Sequence, residues 1–169
     1  MRMDNKMVLI DLDASAAIDT GFSCAKYSSA FVPPEMMCIE DEKYVVKTWN
    51  LVNNGTDDII VNNGHTSELV RASYTHDVWS FGVVLYQLFT GCSLFPADNN
   101  DNICFQKDLK QLFEFTEEFK QERLEIIDDL VARNLIAQML NKDPTKRPTM
   151  DRILRHPFIT NQSNPVSLV

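Results

Sequence analysis

No stretch of this 169-residue sequence is long and apolar enough to cross a membrane as a helix. The best run, residues 81–85, is five long and contains a glycine, against the ~20 residues that a spanning helix requires. The apolar run Met7-Val8-Leu9-Ile10 stops at Asp11, too short for a secretory leader. Positive charge is scarce: 16 Lys and Arg face 24 Asp and Glu, a net charge of −8. The chain therefore lacks the global basic field that draws proteins to nucleic acid or anionic membrane, and neither partner is expected. Cysteine is sparse as well. Cys24, Cys38, Cys92 and Cys104 form no C-x-x-C pair and have no His at zinc-ligand spacing beside them, which points to reduced thiols in a cytoplasmic compartment. His65, His76 and His156 form no H-E-x-x-H pair, so a histidine metal centre has no support. Only 5 Gly and 7 Pro interrupt a chain that is 44% hydrophobic, too apolar for disorder and sufficient for one core.

What is present reads as a mainly α chain. Residues 6–11 run apolar to an abrupt Asp11, a short buried strand ending on an acid. Residues 13–31 are small and polar without period, a long loop of the kind that is usually functional. Val32-Pro33-Pro34 is extended, because each proline pushes its predecessor out of the helical region. Tyr44-Val45-Val46-Lys47-Thr48-Trp49 and Ile59-Ile60-Val61 are strand-like, and Asn54-Gly55 and Asn63-Gly64 supply turn chemistry. A surface hairpin over 44–61 follows. From Tyr74 the pattern is helical: Val78, Phe81, Leu85, Leu88 and Phe89 share one spacing, while Val83, Val84 and Tyr86 fill the rest of the circumference. A helix apolar nearly all round belongs in the centre of the core, so 75–90 is expected to be the most buried helix, ended by Gly91. Further helices are expected over 107–115 and 128–140. Thr149 caps a last short helix that His156-Pro157 ends, before a polar tail.

The order of four segments narrows the reading. Leu9-Ile10-Asp11-Leu12-Asp13 resembles the stretch carrying the D-F-G motif of protein kinases, and Phe31-Val32-Pro33-Pro34-Glu35 resembles their Y-x-A-P-E motif. Asp77-Val78-Trp79-Ser80-Phe81-Gly82-Val83-Val84-Leu85-Tyr86 is similar to the kinase helix that begins D-V-W-S. Residues 140–149, Leu-Asn-Lys-Asp-Pro-Thr-Lys-Arg-Pro-Thr, and then Ile153-Leu154-Arg155-His156-Pro157-Phe158 resemble the end of that domain. The resemblance covers about residues 6–159. It implies a partial protein-kinase-like C-lobe with a short N-terminal strand, an activation-segment loop and an inserted β-hairpin. On this reading 1–160 is the kinase-like domain, with an insertion at about 40–66, and 161–169 is a polar tail. Glu35 and Asp77 are 77 − 35 = 42 positions apart, longer than the family's ordinary link. The excess is either a docking surface or a tolerated surface loop.

The same resemblance assigns roles. Asp11 corresponds to the aspartate that holds Mg²⁺ on the ATP phosphates, the alternative being an acid that caps a turn. Leu12 stands where the family has Phe. Asp13 replaces the family's Gly, where a second carboxylate either joins the metal site or repels Asp11. Ser28 falls at the position that meets the substrate and catalytic loop in Ser/Thr kinases, or is a solvated loop serine. Ser15, Thr20, Ser23 and Tyr27 lie in the activation-segment equivalent and are candidate phosphosites. Glu35 and Arg147 match the family's structural ion pair. Asp77 matches the brace of the catalytic loop, or is a helix-start acid facing water.

Several kinase parts have no counterpart here: no Gly-rich loop, no V-A-I-K lysine and no H-R-D-x-x-x-x-N catalytic loop. The expected function is therefore that of the C-terminal part of a Ser/Thr protein kinase domain, inactive as an isolated chain. ATP and Mg²⁺ serve the parent kinase and bind the isolated chain poorly. A non-catalytic, pseudokinase-like interaction module is the alternative. The partner is a protein, as substrate or binding partner, and the oligomeric state stays open.

Overall fold

The computed structural model describes residues 2–3, 6–7, 12, 14–23, 26–53, 58–62 and 69–161. Two short strands open it, β1 (Arg2–Met3) and β2 (Lys6–Met7), paired antiparallel. Residues 8–11 of the expected strand lie outside the described residues. A loop over 14–23 and 26–33 leads to a 3-10 turn, Pro34–Met36, whose N-terminal proline supplies a preset φ.

The inserted region departs from the single hairpin over 44–61. It is two hairpins in series. Strand β3 (Met37–Glu40) pairs with β4 (Lys43–Val46), and β5 (Trp49–Asn53) pairs with β6 (Asp58–Asn62). Tyr44 thus pairs with Ile39 and not with a residue beyond 58, and its strand stops at Val46, so the expected single strand over 44–49 divides before Trp49. The reason lies in the turn: Asp41 and Glu42 both take positive φ, 46° and 62°, the geometry of a two-residue hairpin loop, without the Asn-Gly signature that normally announces one. The Asn54-Gly55 and Asn63-Gly64 turns lie outside the described residues. The first hairpin packs on α2 (Gln106–Glu114). There the Gln106 side chain accepts from the Tyr44 N–H (2.8 Å) and donates to the Tyr44 carbonyl (3.1 Å). One amide side chain thus substitutes for a neighbouring strand at the β4 edge.

The centre of the fold is α1 (Tyr74–Thr90). The Ser73 hydroxyl accepts from Thr75 N–H to start it, and Gly91 stops it at φ +69°, where its N–H reaches the Gln87 carbonyl. Val78, Trp79, Val83 and Tyr86 are fully buried. Burial is not complete around the helix, however. Tyr74, Phe81, Val84 and Leu88 are exposed, Leu88 by 75%. They recur at intervals of seven, three and four residues, so they form one stripe. An apolar circumference implies burial nearly all round, but among the described residues this stripe stays uncovered.

Helix α4 (Leu130–Met139) crosses α1 most extensively and contributes Leu135, Ile136 and Met139 to the core. It begins on Asp129, whose carboxylate accepts from the N–H groups of Val131 and Ala132. Gly82 makes the crossing close: a Cβ there would lie 3.0 Å from Met139 Cβ. Between α2 and α4 runs α3 (Glu117–Leu124), capped by Thr116. It is not among the helices expected from the sequence, because only Phe119 and Leu124 carry its apolar face. The link between α2 and α3 is Phe115, at φ 25°. Its buried ring packs at 4.7 Å from Trp79 and 5.8 Å from Phe119, which holds that unusual backbone in place. A second 3-10 turn, Pro144–Lys146, precedes α5 (Met150–Leu154), and α6 (Pro157–Thr160) follows. His156-Pro157 starts this last helix where the sequence reading ended one. Proline is well suited to the first helical position, and His156 Nδ1 accepts from the Phe158 N–H.

Candidate functional site

The site grows from Arg147, whose side chain is fully buried and which follows the second 3-10 turn. A guanidinium carries five N–H donors in a rigid fork, and here all five are used. Nε donates to the Asn141 carbonyl (2.8 Å). Nη1 donates to Glu35 Oε1 (2.7 Å) and the Thr75 carbonyl (3.0 Å). Nη2 donates to Glu35 Oε2 (2.7 Å) and the Lys142 carbonyl (3.3 Å). The plane also lies over Trp79, 5.0 Å from its ring centroid. One side chain therefore joins the Pro34–Met36 turn, the first turn of α1 and the loop after α4.

His76, also buried, extends this network. Its Nε2 is 3.7 Å from Glu35 Oε1, and its Nδ1 is 3.0 Å from the Ser23 hydroxyl. Burial is the largest influence on the imidazole and pulls its pKa below 6.5. Arg147 acts in the same direction, while Glu35 and Asp77 oppose it. A neutral ring with a hydrogen on Nε2 turned toward Glu35 leaves Nδ1 to accept the Ser23 proton. In the sequence His76 stands out only as a histidine without an H-E-x-x-H partner. The stronger signal was its place on the inward stripe, three, seven and ten residues before Trp79, Val83 and Tyr86. A histidine on such a stripe must find polar partners.

Above this network lies a cavity of about 720 Å³. Ile18, Ser23, Phe31 and Met36 line it, together with His76 and Asp77 of α1. Ser80, the serine of the D-V-W-S run, donates from its hydroxyl to the Phe31 carbonyl (2.9 Å), fixing the loop that ends in Glu35.

The remaining sequence candidates fall as follows. Asp77 is exposed in the first turn of α1, at the cavity wall. Ser28 lies at the same cavity and donates to the Asn100 carbonyl at 3.4 Å. Ser15 and Thr20 are exposed, with the Ser15 hydroxyl on the Leu12 carbonyl. Ser23 is half-buried against His76. Asp11, Asp13 and Cys24 lie outside the described residues. Among the described residues, no three His, Cys, Asp or Glu side chains converge to hold a metal ion. What the described residues build is a buried polar node beneath a cavity, with both Glu35 oxygens engaged by Arg147.

Known proteins match the same region. The family model for the protein kinase domain matches residues 65–159, more than half of the chain. The "Probable serine/threonine-protein kinase CCRP1" of Zea mays is 35% identical over 95 residues, which is 54% of this chain and 13% of that protein. Calcium-dependent protein kinase 21 of Arabidopsis thaliana is 36% identical over 100 residues, 58% of this chain and 18% of that protein. The chain thus spans less than a fifth of the length of these two relatives. Among solved structures, the twitchin kinase region from C. elegans aligns at 27% identity with a TM-score of 0.43, over 57% of this chain and 16% of that chain. The family match, together with the helical core that bears it, establishes that this chain belongs to the protein kinase domain family.

Proposed function

We propose that the chain is the C-terminal part of a protein kinase domain whose whole form transfers the ATP γ-phosphate to Ser or Thr of proteins, and that these 169 residues alone do not perform the transfer. The family match over 65–159 carries the first half, and the relatives' designation as serine/threonine kinases supports the specificity. The second half rests on an inventory. Phosphoryl transfer relies on a phosphate-covering loop, a lysine, metal-binding groups and a base. The sequence has no Gly-rich loop, no V-A-I-K lysine and no H-R-D-x-x-x-x-N.

Within this reading 1–160 is the kinase-like domain, 40–66 its approximate insertion and 161–169 a polar tail. Asp11, with Asp13 beside it, faces magnesium in the parent fold, and Ser28 faces the substrate. Asp77 braces the catalytic loop, and Ser15, Thr20 and Ser23 are candidate phosphosites. Glu35 and Arg147 act as a structural brace, a role supported by their two parallel hydrogen bonds of 2.7 Å. A cytoplasmic location accords with the charge and cysteine pattern; among the described residues no helix is long and apolar enough to cross a membrane.

A second reading, a non-catalytic interaction module, is favoured by Asp13 where the family has Gly and by the two inserted hairpins. An in-frame H-R-D-x-x-x-x-N in the coding sequence upstream of Met1 would decide for the enzyme. Thermal denaturation of the 169-residue chain with and without ATP–Mg²⁺ tests the inactivity directly. The expected outcome is an unchanged midpoint, because magnesium dehydrates reluctantly and depends on co-ligands. A rise of several degrees that disappears in Asp11→Asn would contradict it.

A further inference from the structure

Three separate parts of the chain meet at Ser23. Its N–H donates to the Val70 carbonyl (2.9 Å), its carbonyl accepts the Trp49 indole N–H (2.7 Å), and its hydroxyl lies 3.0 Å from His76 Nδ1. The residues before it are fastened to the run that enters α1. Asp19 N–H donates to the Ala72 carbonyl (3.1 Å), Ala72 N–H donates to the Gly21 carbonyl (2.9 Å), and Phe22 pairs with Arg71 in one antiparallel bridge. The Arg71 guanidinium lies 5.3 Å from the Phe22 ring centroid, and Trp49 meets the same ring edge-on at 6.5 Å. Residues 14–20, in contrast, are all exposed and have neither helix nor strand. They bury little apolar surface, so their position over the cavity depends on the attachments at 19–23.

We propose that residues 14–23 form a strap across the cavity, latched at Ser23 from two sides: His76 of α1 holds the hydroxyl and Trp49 of the inserted hairpin holds the carbonyl. This gives the insertion a task inside its own chain. Trp49 opens β5, three positions after the first hairpin ends at Val46, so the pair of hairpins carries the indole to the strap. Release of the latch removes Ile18 and Ser23 from the cavity wall and exposes His76 to water. The strap does not depend on the phosphoryl-transfer reading, and its test contains no nucleotide.

Site-resolved amide hydrogen exchange on the 169-residue chain measures the latch in Ser23→Ala, Trp49→Phe and His76→Asn. Trp49→Phe keeps an aromatic ring near Phe22 while removing the indole donor and part of the indole's bulk. A lost hydrogen bond of ordinary strength should raise the opening equilibrium about fivefold. The amides of Asp19, Gly21, Ser23 and Ala72 should therefore exchange about fivefold faster in each single variant, and faster still in Trp49→Phe/His76→Asn. The amides of Leu135, Ile136 and Met139 in α4 should keep their rates. If His76→Asn loosens the whole fold, Trp49→Phe still carries the test. Unchanged strap rates in Ser23→Ala and Trp49→Phe would overturn the proposal, as would acceleration by the same factor in strap and α4.

Discussion

Glu35 and Arg147 lie 112 positions apart in the chain and share two parallel hydrogen bonds of 2.7 Å. The guanidinium is wholly buried and the carboxylate largely so. Removing one partner leaves a buried charge uncompensated, at a cost of about 3–5 kcal/mol. Glu35→Ala should therefore lower stability by that order, measured as a shift of the urea unfolding midpoint. Glu35→Met combined with Arg147→Met should cost less than the sum of the two single variants, because neither charge then remains. Additive losses would mean that the two groups do not act as a pair.

Gly82 sits where α1 crosses α4. A methyl group there would meet Met139 Cβ at 3.0 Å and Leu140 Cδ2 at 3.1 Å. Alanine improves helix propensity by about 1 kcal/mol, but forcing atoms into a packed contact costs roughly 1–3 kcal/mol. Gly82→Ala should reduce stability by about 1 kcal/mol in chemical denaturation. A more stable variant would show that α1 and α4 part readily.

Much of the helical frame is legible in the sequence because its signals are local. Asp129 and Thr149 each head a run whose first turn accepts a cap, and Gly91 sits where a left-handed residue ends α1. The hairpins were legible only in part, since the turn at Asp41 and Glu42 takes positive φ without Asn or Gly. Partial exposure of α1 was not legible at all. Phe81 and Val83 look alike in sequence, and only the tertiary arrangement leaves the first exposed and the second fully buried. For the site, motif order offered Glu35, Asp77 and Arg147 as candidates. The contacts of His76 and Trp49 with Ser23 are not legible in the sequence, because the partners are 53 and 26 positions apart.

Acid should weaken the fold. The pKa of His76 is held below 6.5 by burial and by Arg147, and that of His156 is lowered by burial. Above pH 6.5 both states carry neutral rings and the difference contributes nothing. As pH falls through 6.5, the unfolded chain takes up protons that the folded chain resists, so stability declines until the folded pKa is reached. Thermal midpoints should drop between pH 7 and pH 5, and His76→Asn should flatten the decline, leaving a smaller slope from His156. An identical slope in His76→Asn would show that His76 protonates as freely in the fold as in the unfolded chain.

We propose that this kinase-family chain does not transfer phosphate by itself, and a radiolabel assay tests that most directly. The purified 169-residue chain is incubated with γ-labelled ATP, Mg²⁺ and a generic protein substrate, with Asp11→Asn alongside. The account predicts no incorporation above background with either protein. Incorporation that persists through purification and is lost in Asp11→Asn would contradict it, and would require a base supplied by these residues.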